Sequence, residues 1–343
     1  MGTPPTSEAE LRHALEILAK HDGNLTHAAS AAGMSRAGFA ARVNRAKDSR
    51  LKAEKDESIE LPDFVHGDEE EPIDELLARF RKAHERKQKA IDARTWFPLK
   101  VKEDKPYGIL WFGDPHLGPH CNWALLESHI AIARQPGVYG GNIGDTTDNW
   151  PWTGRLARLW AENDISHKTE KRLGTWFMME AGIKWLLWLG GNHDEWNGGT
   201  EFYKMLGASQ VPVIDWRAQF TLCHKNGSQT RIDAAHGRKG SSIYNPAHGT
   251  LRDAKFGEEA ALFVTGHIHS FGLFDIEFPE KKTQTWLAQI SGYKMGDRHA
   301  LVNGYAQANR GAAVLSVVDP ANGKVQCFAD VEEGADFLAF KRR

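Results

Sequence analysis

Five short polar pieces stand along the chain: Gly113-Asp114-Pro115-His116, Gly144-Asp145 with Asp148, Gly191-Asn192-His193-Asp194, His236-Gly237 and Gly266-His267-Ile268-His269. Each combines carboxylate, imidazole or amide groups with an adjacent glycine. Oxygen and nitrogen donors of this mixture suit manganese, iron or zinc, and a set this large is enough for two ions. The chemistry implied is two-metal hydrolysis. None of the three cysteines, Cys121, Cys223 and Cys327, falls in a motif.

The elements that must position these groups are visible just upstream. Tyr107 to Phe112, Val138 to Ile143, Trp185 to Leu189, Arg231 to Ala235 and Ala261 to Thr265 are short apolar runs bounded by glycine or polar residues, and they predict buried strands. Their C-terminal ends would deliver the polar residues to one sheet edge. Glycine there permits tight turns and close backbone approach to a metal or phosphate.

In these motifs the chain resembles the calcineurin-like metallophosphoesterase family over roughly residues 105 to 320. The resemblance implies an α/β fold, a two-sheet sandwich flanked by helices. It implies Asp114, His116 and His269 as ligands of one metal, Asp145 as the bridging carboxylate, and Asn192, His236 and His267 completing the second. His236 is preferred over His248 because it follows the better strand. The implied nucleophile is a hydroxide bridging two divalent cations, most readily Mn2+, with iron or zinc as alternatives. His193 would act as general acid, oriented and held protonated by Asp148. Asp194 fits a turn role, bonding backbone amides, as well as a catalytic one. His120, His224 and His299 read as surface or packed residues.

Composition bounds the rest. The 343 residues carry a formal charge of −2, so no polycationic signal marks the whole chain. Three widely spaced cysteines predict free thiols and no disulfide-linked partner, and no apolar run approaches a membrane span. A soluble cytoplasmic protein without membrane partners is expected.

Residues 1–52 form a different kind of sequence. Ser7 to His21 predicts a capped amphipathic helix, a second short helix follows from Leu25, and Gly33 and Ser35 open a third reaching Lys47. Gly23-Asn24-Leu25-Thr26, Ala28-Ala29, Gly33-Met34-Ser35 and Arg42 resemble the small all-α helix-turn-helix domains of Fis-type DNA binders. Residues 7–52 carry eight Lys or Arg against five Asp or Glu. Arg36, Arg42, Arg45 and Lys47 are the expected DNA-phosphate contacts. A helical bundle binding protein is the alternative.

An acidic linker over 53–72 and an amphipathic helix with lead-in over 73–104 would connect this arm to a catalytic domain over 105–343. Residues 150 to 182 predict a helical excursion. Trp150 and Trp196 are candidates to line a substrate groove, and Arg155 and Arg158 to clamp phosphate. Beyond the last motif, Thr283 to Ile290 and a hairpin of Ala313 to Val318 with Lys324 to Phe328 would complete a second sheet. The reading is a metal-dependent DNA phosphodiesterase. A phosphatase or a small-molecule phosphodiesterase, including one acting on cyclic nucleotides, is the alternative enzyme. A DNA-binding regulator with an inert phosphoesterase fold is the alternative outside enzymes.

Overall fold

The computed structural model describes residues 6–49, 72–92, 95–208, 211–240, 242–296 and 311–343, without the side chains of residues 86–92 and 155. The expected linker except Pro72, and His299, lie outside the described residues. The chain divides into two compact units, residues 1–79 and 80–343.

Among the described residues the first unit holds three short helices before residue 50: α1 (Glu8–Lys20), α2 (Leu25–Ala31) and α3 (Arg36–Asp48). Each begins at a side chain that accepts orphan backbone N–H groups. Ser7 and Glu10 form a reciprocal capping box, Asn24 caps α2 and Ser35 caps α3. Ala14, Ala28, Ala29, Phe39 and Val43 make the core, with Leu15, Leu18 and Met34 packed on it. On α3, Arg36, Arg45 and Lys47 are exposed and Arg42 half-buried. Helix α4 (Ile73–Asp92) follows.

Among the described residues the second unit contains two six-stranded mixed sheets. One has the order β1-β6-β7-β8-β10-β9 and the other β12-β11-β2-β3-β4-β5. The first comprises β1 (Phe97–Lys100), β6 (Arg217–Cys223), β7 (Gln229–Ala235), β8 (Leu262–Thr265), β9 (Gly272–Phe278) and β10 (Thr283–Gln289). The second comprises β2 (Tyr107–Phe112), β3 (Val138–Asn142), β4 (Trp185–Gly190), β5 (Val213–Asp215), β11 (Ala313–Asp319) and β12 (Lys324–Phe328). Residues 283–290 and the 313–328 hairpin therefore do not share a sheet. Strand β10 pairs with β8, whereas β11 pairs antiparallel with β2.

Strand β2 explains the layering. All six of its residues are buried, and period-two alternation divides them between two cores. Tyr107, Ile109 and Trp111 enter the core between the sheets with Phe220, Leu222, Ile232, Leu262 and Val264. Leu110 and Phe112 face the opposite side, toward α5 (Trp123–Ala133), α9 (Gly199–Gly207) and α11 (Val331–Arg342). Helix α10 (His248–Phe256) covers Phe263 and Leu287 on the outer face of the first sheet. The result is a two-sheet sandwich flanked by helices.

Parallel pairing sets the functional edge. β2, β3 and β4 run parallel, as do β7 and β8, so their C-terminal ends carry Asp114, Asp145, Asn192, His236 and His267 out of the sandwich together.

Candidate metal centre

The expected ligands sit on unusual backbone. Among the described residues eleven non-glycine positions have positive φ, and five are Asp114, His116, Asp145, His267 and His269. Left-handed backbone disfavours side chains with a Cβ, so its concentration here marks a site held in place by its surroundings. Glycine makes the close approach possible. A Cβ on Gly191 would lie 2.2 Å from Oδ1 of Asp145, and one on Gly144, at φ +101°, 2.7 Å from Nδ1 of His236.

Asp145 is the centre of the arrangement. One group of ligand atoms within 4.8 Å of one another comes from His116, Asp145 and His193, and a second from Asp145, His236 and His267. The second group also meets Asn192, whose Oδ1 lies 3.0 Å from Nε2 of His236. Asp114 adjoins the second group: its Oδ1 is 3.4 Å from Nδ1 of His236, and its Oδ2 accepts the His267 N–H at 2.7 Å. The His269 ring centroid lies 5.2 Å from that of His116. His248 is in neither group.

The donor atoms fit divalent cations. Oδ1 of Asp114 and Nε2 of His116 are buried without a hydrogen-bond partner, a costly state that a cation would relieve. Nδ1 of His236 meets the carbonyl oxygen of Ile143 at 2.9 Å, which fixes the ring with Nε2 toward Asp145. Burial pushes the Asp114 carboxyl up to about 8. Burial opposes charge on His236, yet the Asp145 and Asp114 carboxylates outweigh it and lift that imidazole to about 10.

Asp148 differs from expectation. Its carboxylate does not bond His193; Oδ1 meets Nδ1 of His116 at 2.8 Å and receives the Lys294 ammonium at 2.6 Å. His193 instead meets the main-chain oxygen of Asp148 through Nδ1. The physical reason is the turn after β3, where Asn149 has positive φ and directs the Asp148 carbonyl toward His193. Burial pushes His193 down to about 4, so Asp148 does not hold it charged.

Trp150 and Trp196 enclose His193. Their ring centroids lie 4.6 and 4.4 Å from the imidazole and 5.5 Å from each other. Trp150 is only 6% exposed, which removes it from an open groove and makes it a wall of the His193 pocket. Arg158 lies on the surface and bonds Glu162 at 3.0 Å, and the Arg155 side chain lies outside the described ones. Asp194 takes its turn role, accepting from Thr146 N–H and Gly191 N–H and so joining the second and third motif loops.

Three supporting residues escaped the sequence reading. Lys294 follows no apolar run. Glu170, buried on α7 (His167–Thr175), accepts the Asn149 N–H at 2.9 Å and steadies the Asp148 turn. Arg238, two residues past His236, bonds Thr265 Oγ1 at 2.7 Å, Asp253 at 2.7 Å and Asp233 at 3.0 Å, tying the His236 loop to the strand end before His267. Its place directly after a histidine motif was the one available signal.

No protein-family model matches this chain, and no curated protein matches it. Among solved structures it is similar to vacuolar protein sorting 29 from Cryptosporidium parvum, at 16% identity over 66% of this chain and 97% of that one, TM-score 0.34. A metallophosphoesterase from Sphaerobacter thermophilus is 12% identical over 68% and 94% of the two chains, TM-score 0.28. A phosphatase from Mycoplasma pneumoniae is 14% identical over 65% and 92%, TM-score 0.33. Likenesses this distant carry no argument, and the activity rests on the site itself.

Proposed function

We propose that this chain is a two-metal-dependent phosphoesterase acting on phosphodiesters, with DNA as its substrate. The observation that carries the reaction class is the buried Asp145 carboxylate shared by two groups of imidazole ligands. Asp114, His116, His269 and Asp145 would hold one divalent cation, and Asp145, Asn192, His236 and His267 the other. Such a pair activates water and neutralises the non-bridging oxygens of a phosphoryl group.

The chain's own groups supply the rest. The His193 N–H of the main chain donates to Oδ1 of Asp145 at 2.9 Å, so the imidazole is anchored to the bridging carboxylate. Nε2 of His193 faces the cluster, 3.9 Å from Oδ2 of Asp145, and is the atom from which a proton would pass to the departing oxygen. A phosphodiester brings negative charge into the pocket, which favours the charged imidazole that burial otherwise disfavours. Trp150 and Trp196, stacked on each other, pack together beside the ring and limit water there.

The DNA assignment draws support from the first unit. On α3 a face of Ala37, Ala41 and Asn44 is exposed and flanked by Arg36 and Lys47 on one side and Arg42 and Arg45 on the other. Such a helix can meet phosphates while offering few groups to read base edges. The test is turnover of bis-p-nitrophenyl phosphate and of DNA by the purified chain across several divalent metals. Asp145→Asn should abolish both activities and lower bound metal while leaving the circular dichroism spectrum unchanged. A fully active variant would refute the site.

A further inference from the structure

Two loops rise from the rim of the metal centre, one from each sheet, because the ends of β3 and β7 meet where His236 bonds Ile143. The loop after β3 is held firmly at Trp150, whose carbonyl oxygen lies 2.9 Å from Nε2 of His167 and 3.3 Å from Nδ2 of Asn197. Two residues on, Trp152 is 65% exposed. The loop after β7 starts at His236, is fixed by Arg238, and is seated again at Pro246, whose ring lies where a Cβ on Gly272 would come within 3.0 Å. Gly272 is three residues past His269. Between these anchors stand Ile243 and Tyr244, 90% and 91% exposed.

An isolated exposed hydrophobe needs no explanation, but adjacent large ones on an anchored loop mark a contact site. The charge around them indicates the occupant. Residues 236–256 carry three exposed cations, Lys239, Arg252 and Lys255, while the buried Arg238 side chain is paired with Asp233 and with Asp253, the one acid of this segment. Aromatic rings for base faces and cations for the backbone are the two components of a single-strand nucleic-acid groove. We infer that Tyr244, Ile243 and Trp152 form a base-stacking subsite on either side of the reacting phosphate, so that the enzyme acts on an unpaired strand. In a duplex the base faces are covered by their neighbours, and the rings have nothing to stack on. This subsite rests on the phosphodiesterase reading above.

The test uses the full chain with Mn2+ and three substrates: bis-p-nitrophenyl phosphate, a labelled single-stranded oligonucleotide, and the blunt duplex of the same sequence. Tyr244→Ala and Trp152→Ala should each raise KM for the single strand roughly ten-fold. Tyr244→Phe should behave as the parent, and all three variants should hydrolyse the small diester normally, which also verifies their fold. An unchanged single-strand KM in both alanine variants overturns the subsite. So does a parent enzyme that cleaves the duplex as efficiently as the single strand, or one that hydrolyses the diester but neither nucleic acid. A parent that fails on the small diester with every divalent metal overturns the phosphoesterase reading itself.

Discussion

Nδ1 of His116 lies 2.8 Å from Oδ1 of Asp148, and both residues are buried. Asp148 is held well below the usual carboxylate range: burial acts against its charge, but the His116 bond and the Lys294 ammonium outweigh it. An ionised carboxylate only accepts, so Nδ1 of His116 is the donor and Nε2 is the ring atom left to meet a cation. Nε2 is the buried atom without a partner. Asp148 thus sets the tautomer that lets His116 bind a cation.

Lys294 should therefore act through Asp148. Its ammonium bonds the same oxygen at 2.6 Å and sits 5.0 Å from the centre of the Trp150 ring. Lys294→Met frees Asp148 to turn away from His116 and should weaken metal affinity on that side about ten-fold, with a matching shift in the Mn2+ dependence of turnover. Lys294→Arg should restore most of the affinity. Metal titration of the three proteins checks this, and equal affinities would remove Lys294 from the metal centre.

His193 can be separated from the ligands by its leaving-group dependence. His193→Asn should retain both metals and lose on the order of 100- to 10,000-fold in rate for a poor leaving group. The loss for p-nitrophenolate should be smaller, since that group departs without a proton. Because His193 shares a ligand-atom group with His116 and Asp145, metal content must be measured alongside. Loss of one metal with equal rate losses on both substrates would make His193 a ligand.

The parts of this molecule that can be read from sequence are those where burial on both sides forces an uninterrupted apolar run. β2, β4 and β8 meet that condition, and the motif glycines and ligands sit directly at their ends. β6 does not. Gln219 and Arg217 on that strand bond the buried Asp233 of β7, so a polar network interrupts its apolar pattern. β9 lies at a sheet edge and buries only its first and last residues. The motif residues could be picked out because several donor types recur beside glycine, whereas Lys294 and Glu170 act through contacts set by the tertiary structure. The Asp148–His193 relation was misread for a geometrical reason: the family resemblance brought the residues together but could not distinguish a carboxylate from the carbonyl of the same residue.

Acid stability should depend on His129, which lies between the first and second motifs in sequence. Burial pushes this imidazole down to about 4 from its ordinary 6.5, the distant Asp330 charge opposing weakly, and Nδ1 lies 2.7 Å from the Tyr293 hydroxyl. The unfolded chain binds this proton first, so the contribution is full above pH 6.5 and is lost as pH falls through 4, by about 3 kcal/mol at most. His129→Gln keeps a polar partner for Tyr293 but does not titrate. Urea melts of parent and variant between pH 7 and 4 should show a shallower decline for the variant, and parallel declines would exclude His129.

The arm tests the DNA substrate independently of the chemistry. Arg36, Arg42, Arg45 and Lys47 lie on α3, which has its own capped helix and its own core contacts through Phe39 and Val43, so changing these cations leaves that core intact. If they meet phosphates, each contact releases counterions, and the slope of log affinity against log salt falls by about 0.9 per cation removed. Replacing all four with Gln should flatten that slope by roughly 3 to 4 and weaken DNA binding most at low salt. Hydrolysis of a small diester should not change, because a tethered arm raises the local concentration of DNA without touching the reacting phosphorus. Fluorescence anisotropy at several salt concentrations, set beside diester kinetics, measures both quantities. Identical salt slopes would detach the arm from DNA and point the metal centre toward a small-molecule diester.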